Sequence, residues 1–293
     1  MNDPFTLDKR QMRRAFERAA PAYDAAAALQ REVCARMLER LLLVRIAPRA
    51  ILDAGSGTGN ARRGLSRRYP RARIIELDLS YSMLRVARER QPWWRRLLPG
   101  GRCQVCGDIE RLPLASGSIG LVWSNLSLQW STDLGRSLAE CFRVLAPEGL
   151  LMFSSFGPDT LKELRLAFAH SDAGVHVNRF VDMHDVGDLL VQGGFSDPVM
   201  DAETITLTYR EIADLMRELK ALGAHNVNTG RSKGLSGRRL FSRLSEAYEG
   251  FRRADGRLPA TFEVVYGHAW KPRPRTGPAG RPVIPIKARQ GQS

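Results

Sequence analysis

The sequence predicts an α/β fold: a seven-stranded, mostly parallel sheet with helices on both faces. Short apolar runs alternate with helical stretches through the first 160 residues, and this alternation is typical of repeated strand–helix units. One run, at 51–53, leads directly into the glycine-rich turn 54–59. Acidic residues end the next two runs, at Asp78 and Asp108, so three neighbouring strands carry polar groups at the same edge.

The elements follow in order along the chain. Helical signals at 9–46 predict an N-terminal helical cap (1–46). The sheet domain (47–271) includes a helical insertion at about 156–181, a returning helix at 182–192 and helices near 210–222 and 236–254. The last piece, 272–293, is rich in arginine and proline and contains no acid, which predicts a disordered basic tail. Strands are predicted near 50–54, 73–78, 103–107, 119–124, 149–154, 197–209 and 261–270, the last two extending a parallel five-stranded sheet.

Composition limits the function classes. Hydrophobic residues make up 43% and charged residues 26% of the 293, as in a soluble globular enzyme. The sequence contains no run of about 18 uncharged apolar residues, so no membrane span is predicted. The N-terminus has no secretory pattern, and a cytoplasmic location is therefore expected. The Cys103-x-x-Cys106 pair has no second pair with zinc-ligand spacing, which favours a structural role and no metal.

The turn D-A-G-S-G-T-G at 53–59 predicts a site for a nucleotide-like ligand. Glycine allows a close backbone approach and a positive φ, and the following helix directs free N–H groups at the turn. Asn60 stands where a dinucleotide-binding turn has its third glycine. Asp53 would repel a pyrophosphate and attract a cation, such as the amino group and sulfonium of S-adenosylmethionine. A dinucleotide site and a purely structural turn remain alternatives.

Together these motifs resemble the class I S-adenosylmethionine-dependent methyltransferases, which have a Rossmann-like fold. The resemblance rests on D-A-G-S-G-T-G, L-D-L-S at 77–80, G-D-I at 107–109 and R-V-L-A-P-E-G-L-L at 143–151. It implies that Asp53, Gly55 and Gly57 hold the methionine part of the methyl donor, that Asp78 binds the ribose, and that Asp108 and the Ile109 amide bind the adenine. The expected cofactor-binding set is completed by Leu79, Met83 and Asn125.

Over nearly the whole chain the sequence is similar to the malonyl-acyl-carrier-protein O-methyltransferases of biotin synthesis. The similar segments are K-R-Q-M-R-R-A-F-E-R-A-A-P-A-Y-D at 9–24, N-L-S-L-Q-W at 125–130, F-G-P-D-T-L-K-E-L-R at 156–165 and N-R-F-V-D-M-H-D-V-G-D at 178–188. This resemblance implies methylation of a malonyl carboxylate. A carboxylate is ionised near pH 7, because its pKa is about 4, so the reaction needs no general base.

Such a site must instead hold the carboxylate and align it with the donor. An arginine fork suits that task, and the candidate is Arg179, with Phe180 as an apolar wall. Tyr23 is expected to cover the donor methyl or to hydrogen-bond the acceptor, and Asn125 to line the reaction centre. The alternatives are that Arg179 is an ordinary surface arginine and that Tyr23 is a core tyrosine, in which case neither has a catalytic role.

The net charge of +14, with an isoelectric point near 10.4, fits an acidic partner. The family's carrier protein is acidic, and arginines such as Arg85 and Arg88 could dock it; an arginine-rich solvated surface is the alternative. No membrane partner is expected and nucleic acid is not favoured, although RNA methylation stays open. Other open functions are a protein-arginine hydroxylase of the kind that assembles respiratory complex I, and a binding module without catalysis.

Overall fold

The computed structural model describes residues 7–90, 103–169, 178–224 and 238–274. Its seven-stranded sheet has the order β3-β2-β1-β4-β5-β7-β6. Neighbouring strands are parallel, except that β7 runs antiparallel to β5 and β6. The predicted fold is thereby confirmed. The strands are β1 Ala50–Ala54, β2 Arg73–Asp78, β3 Cys103–Cys106, β4 Ile119–Ser124, β5 Leu145–Phe156, β6 Ser196–Tyr209 and β7 Leu258–Trp270.

The helices of the described residues flank this sheet. They are α1 Lys9–Ala19, α2 Tyr23–Ala26, α3 Ala28–Leu42, α4 Arg62–Arg68, α5 Tyr81–Glu89, α6 Leu134–Val144, α7 Lys162–Ala169, α8 Met183–Gln192, α9 Ile212–Ala221 and α10 Arg238–Glu249.

The central strands are apolar because both of their faces are buried, as expected for parallel strands covered by helices. Side chains alternate between the faces. Ile51 packs into one core cluster with Met37 of α3, whereas the next residue, Leu52, packs into the other with Leu138 of α6. The sheet is therefore covered by helices on both faces.

Several predicted boundaries shift in the structure; strand β7, for example, begins at Leu258 rather than at residue 261. The helix after the glycine turn begins at Arg62 rather than near residue 60. Strand β5 is longer than the predicted 149–154, because β7 pairs with it from Leu150 to Phe156 and Leu145 pairs with β4. Of the predicted insertion, residues 170–177 lie outside the described residues, as does the predicted tail from residue 275. The division into domains stays a prediction.

Helix α1 lies over the carboxyl edge of the sheet. Asp8 caps its start by accepting hydrogen bonds from the amides of Arg10 and Gln11, which satisfies two of the N–H groups that a helix start leaves free. Ala19 and Ala20 of this segment pack against Met83 of α5. No helix in the described ranges has the length and apolar character needed to cross a membrane.

Candidate active site

A cavity opens at the carboxyl ends of β1, β2, β3 and β4. The strand order reverses direction between β1 and β4, and such a switch point is where ligands bind in open α/β sheets. The cavity has an empty volume of about 720 Å³. We refer to it as the donor cavity. Its wall contains these predicted site residues: Tyr23, Gly55, Gly57, Asp78, Leu79, Met83, Asp108, Ile109 and Asn125.

The glycine turn forms the floor of the donor cavity. Gly55 has a φ of 76° and Gly57 a φ of 53°, a left-handed conformation that glycine adopts without strain. A Cβ on Gly55 would lie 1.8 Å from the Ser127 Oγ, whereas a Cβ on Gly57 would meet no atom within 4 Å. Gly55 thus makes room for the neighbouring loop, and Gly57 presents open backbone to the cavity.

Asp78 connects the turn to the end of β2. Its Oδ2 accepts a hydrogen bond from the Gly57 amide and its Oδ1 accepts one from the Ser80 amide, both at 2.8 Å. Burial raises the pKa of Asp78 to about 6, although the two amide hydrogen bonds lower it and the charge of Glu17 adds a small increase. The carboxylate is therefore preorganised at the cavity wall and ionised above about pH 6.

Asp53 is part of a buried acidic cluster beneath the turn. It is 2% exposed and is absent from the donor-cavity wall; its Oδ2 has no hydrogen-bond partner in the described part of the chain. Burial raises the pKa of Asp53 well above its ordinary value, and the charges of Glu76 and Asp78 raise it further, while Arg62 opposes them. Arg62 Nη1 lies 3.2 Å from Glu76 Oε2. Direct contact of Asp53 with a ligand stays a prediction.

The far end of the donor cavity is bounded by Asp108. Lys9 of α1 lies 2.5 Å from Asp108 Oδ2 and 2.6 Å from Glu110 Oε2. Asp108 Oδ1 accepts from the Glu110 amide at 3.0 Å. Ile109 lies beside this pair on the cavity wall. Lys9 therefore connects the start of α1 to the loop to which the resemblance assigns the adenine.

Two further contacts hold α1 and α2 on this edge. Glu17 accepts hydrogen bonds from the amides of Tyr81 and Ser82 at the start of α5, at 3.0 and 3.1 Å. Asp24 accepts from the Thr58 hydroxyl of the glycine turn at 2.6 Å. Together with the ion pairs of Lys9, these contacts hold α1 over the donor cavity. Met12 and Phe16 of α1 line this cavity. Sequence reasoning identified the helix but not these wall residues.

Asn125 and Tyr23 lie on the donor-cavity wall. Asn125 Nδ2 donates to the Gln30 carbonyl of α3, and its Oδ1 accepts from the Ser154 hydroxyl, both at 3.0 Å. Burial raises the pKa of the Tyr23 hydroxyl, and the charge of Asp78 raises it further. Tyr23 is therefore neutral near pH 7 and suited to donate a hydrogen bond rather than to accept a proton.

A second, larger cavity lies along a different face of α1, and we name this candidate site for the methyl acceptor the acceptor cavity. Its empty volume is about 2310 Å³, and most of its wall is apolar. Trp130 lines both cavities and packs edge-on against Phe16, with ring centroids 5.2 Å apart. Phe180 lies on the acceptor wall. The exposed Arg179 is on the wall of neither cavity, so the structure does not bring it to the predicted site.

No cluster of three or more potential metal ligands occurs within the described ranges. Cys103 and Cys106 are free thiols at the two ends of β3. Residues three apart on a strand point to opposite faces, so this pair does not converge on one ion.

The donor cavity fits S-adenosylmethionine on two observations of its own. The open backbone at Gly57 leaves the space that a side chain would fill, and a fixed carboxylate, Asp78, is within the same wall to accept hydroxyl groups. The resemblance assigned the same residues to the methionine and ribose parts.

Comparison with known proteins agrees with this geometry. Residues 52–153 match a family described as a methyltransferase domain. A malonyl-[acyl-carrier protein] O-methyltransferase of Gallionella capsiferriformans is 55% identical over 97% of this chain and 98% of its own length. One of Laribacter hongkongensis is 56% identical over 94% of each chain.

Solved structures show the same fold. A crystal structure from Bacillus halodurans superposes with a TM-score of 0.56 at 18% identity, over 82% of this chain and 99% of that one. A phosphoethanolamine N-methyltransferase of Haemonchus contortus, solved with S-adenosyl-L-methionine, has a TM-score of 0.51 at 18% identity, covering 88% of this chain and 57% of that one.

Proposed function

The chain belongs to the malonyl-[acyl-carrier protein] O-methyltransferase family, and on this premise we propose that it methylates the free carboxylate of a malonyl thioester on acyl carrier protein. The product is the malonyl methyl ester that starts biotin synthesis. The single observation that carries the proposal is the family membership over nearly the full length of both chains. The relatives do not favour the arginine hydroxylase or RNA methylation.

The chemistry agrees with what the site contains. S-adenosylmethionine supplies a methyl group on a positively charged sulfur, which becomes a neutral thioether when a carboxylate oxygen takes the methyl. The negative and positive charges disappear together, so an environment that excludes water favours the transfer. The largely apolar acceptor cavity provides such surroundings.

The residues of this chain then have to position two reactants rather than move a proton. We assign the methionine end of the donor to Asp53, Gly55 and Gly57, and the reaction centre to Tyr23 and Asn125. Alignment of this kind is worth roughly 7–11 kcal/mol. The remaining assignments of the donor cavity are the ribose to Asp78, the adenine to Asp108 and Ile109, and apolar contacts to Leu79 and Met83.

Two assignments concern the acceptor. Phe180 on the acceptor wall supports an apolar contact to the acceptor arm, and its ring packs against Phe156 at 5.6 Å between centroids. Contact of Arg179 with the carboxylate stays a prediction, and the exposed position of Arg179 does not support it.

The acceptor is delivered by a protein partner. Acyl carrier protein is acidic, and the net charge of +14 favours electrostatic steering of such a partner. Arg85 and Arg88 on α5 are candidates for this docking. A cytoplasmic location, with no membrane or nucleic-acid partner, is part of the same proposal.

The test is a methyl-transfer assay with purified full-length protein, S-adenosylmethionine and malonyl-loaded carrier, read by intact-protein mass spectrometry. Methyl ester should form on the malonyl carrier and not on an acetyl carrier, which has no free carboxylate. Complementation of a biotin auxotroph that lacks this step is the companion assay. If the malonyl carrier stays unmethylated while protein folded by circular dichroism binds S-adenosylhomocysteine, the acceptor assignment is wrong.

A further inference from the structure

No residue of the acceptor cavity has yet been assigned to the negatively charged carboxylate of the acceptor. If the proposed function is correct, a free carboxylate enters this largely apolar space and needs a cation or strong hydrogen-bond donors. Among the described residues, three cationic side chains lie on the acceptor wall: Arg18, Arg217 and Lys220.

Arg18 is on the helix that separates the two cavities. Ala15, Arg18 and Ala19 of α1, together with Ala22 just after the end of this helix, all line the acceptor cavity. Phe16 of the same helix lines the donor cavity. Because the three cavity-lining residues nearest to Arg18 in the chain are alanines, this part of the acceptor wall is made of small side chains.

The three cations differ in their existing partners. Arg217 is paired with Asp214 one turn earlier on α9. Arg18 is exposed and has no ion pair or hydrogen bond with any other described residue. Lys220 is a single point charge near the end of α9, whereas a guanidinium offers a planar fork of N–H donors that matches a carboxylate.

A second polar group on the acceptor wall also lacks a partner. The Gln30 side-chain oxygen is buried without a hydrogen bond in the described part of the chain, and Gln30 is on the acceptor wall. Its backbone carbonyl accepts from Asn125 of the donor wall at 3.0 Å. Gln30 therefore marks the place where the two cavities meet, and an amide rotated there offers an N–H to the same carboxylate.

We propose that Arg18 binds the free carboxylate of the acceptor and selects for it, with Gln30 of the same cavity wall as a second donor. The guanidinium holds the carboxylate through N–H groups and leaves oxygen lone pairs for the attack on the methyl group. Selection follows because a neutral ester gains no charge-assisted hydrogen bond at this position.

The experiment measures binding rather than turnover, so that a structural defect can be distinguished from lost recognition. Full-length protein is saturated with S-adenosylhomocysteine, which cannot transfer a methyl group, and titrated with malonyl carrier or with the malonyl methyl ester carrier. Arg18→Gln should weaken binding of the malonyl carrier tenfold or more, a factor of ten being about 1.4 kcal/mol, and change binding of the ester carrier less than twofold. Affinity for S-adenosylhomocysteine should stay unchanged.

Matched variants complete the design. Arg14→Gln removes the same charge from an exposed position of α1 and should leave both affinities within twofold. Arg18→Lys should restore part of the preference for the charged carrier. The proposal would be overturned if Arg18→Gln lost affinity equally for the malonyl carrier and for the ester carrier. It would also be overturned if Lys220→Gln or Arg179→Gln lost the preference for the malonyl carrier while Arg18→Gln kept it. A wild-type protein that does not methylate the malonyl carrier at all refutes the proposed function instead.

Discussion

Donor binding should depend on pH through Asp78. With a pKa of about 6 in the free protein, this carboxyl group is almost fully ionised at about pH 7.5 and roughly one-eleventh ionised at about pH 5. A ribose diol donates hydrogen bonds to the ionised form, so protons compete with the donor. Affinity for S-adenosylhomocysteine should therefore fall about tenfold between these two pH values, and should already be about halved near pH 6, the pKa of Asp78.

Isothermal titration calorimetry at several pH values would measure this change. The raised pKa means that the folded protein binds more protons than the unfolded chain between about pH 4 and 6. The Asp78 contribution to stability therefore falls as pH rises through that window, which is opposite in sign to the change in affinity. Loss of affinity at low pH through this group is thus not a result of unfolding, and a melting curve at each pH provides the check.

Two variants identify the titrating group. Asp78→Asn should bind weakly at every pH and show no step. Glu17→Gln should move the step to lower pH, because the charge of Glu17 raises the pKa of Asp78 while glutamine still accepts from the α5 amides. An affinity that is flat from about pH 7.5 to about pH 5 would refute the reasoning, and a step that persists in Asp78→Asn would assign it to another group.

Three other predictions concern the turn, the core and the partner. Gly55→Ala should abolish donor binding, since its Cβ would lie 1.8 Å from the Ser127 Oγ. The control Gly117→Ala is also at positive φ but has no atom within 4 Å of the added Cβ, so it should lower the unfolding free energy by about 1–2 kcal/mol and keep donor binding. Equal donor affinities of the two variants would contradict this prediction. Met37 is 0% exposed, so Met37→Ala should lower the unfolding free energy, measured by chemical denaturation, by about 2–5 kcal/mol. Leu43 is 86% exposed, and Leu43→Ala should lower it by less than about 0.5 kcal/mol. Similar losses of unfolding free energy in the two variants would exclude a packed core at Met37. Added salt should lower kcat/KM for malonyl carrier more than for malonyl-pantetheine, and an equal salt effect would argue against electrostatic docking.

The donor cavity was predictable because its residues follow strands. A strand that is buried on both faces appears in the sequence as a short apolar run, and the residue after it belongs to the carboxyl edge. Parallel pairing then brings Asp78 and Asp108 to one edge although 30 positions separate them. Asp53 also follows from this pattern, although its side chain is buried beneath the turn and 2% exposed, and its contact with a ligand stays a prediction. Strand position fixes the edge but not the direction of the side chain.

The wall formed by α1 was not predictable in this way. Locally, 9–19 indicates only an amphipathic helix, and its place depends on contacts with residues far along the chain. Lys9 meets Asp108 and Glu110, and Glu17 meets the start of α5. No periodicity within the helix records those partners. The sequence therefore offers Arg179 of the insertion as the carboxylate-binding candidate, and Arg18 becomes a candidate only through the position of α1.

The position of α1 bears directly on the reaction. In-line transfer requires that the acceptor oxygen and the donor methyl meet within about 3–3.5 Å, and small displacements of either reactant reduce the rate strongly. Lys9 and Glu17 fix α1 against the donor edge, and Arg18 is on the acceptor face of the same helix. Since a helix is stiff over two or three turns, contacts that fix the donor side also fix the distance from Arg18 to the donor cavity. On this proposal, two reactants held by different faces of one helix are aligned with each other by its geometry, which is the task left to a protein that needs no general base.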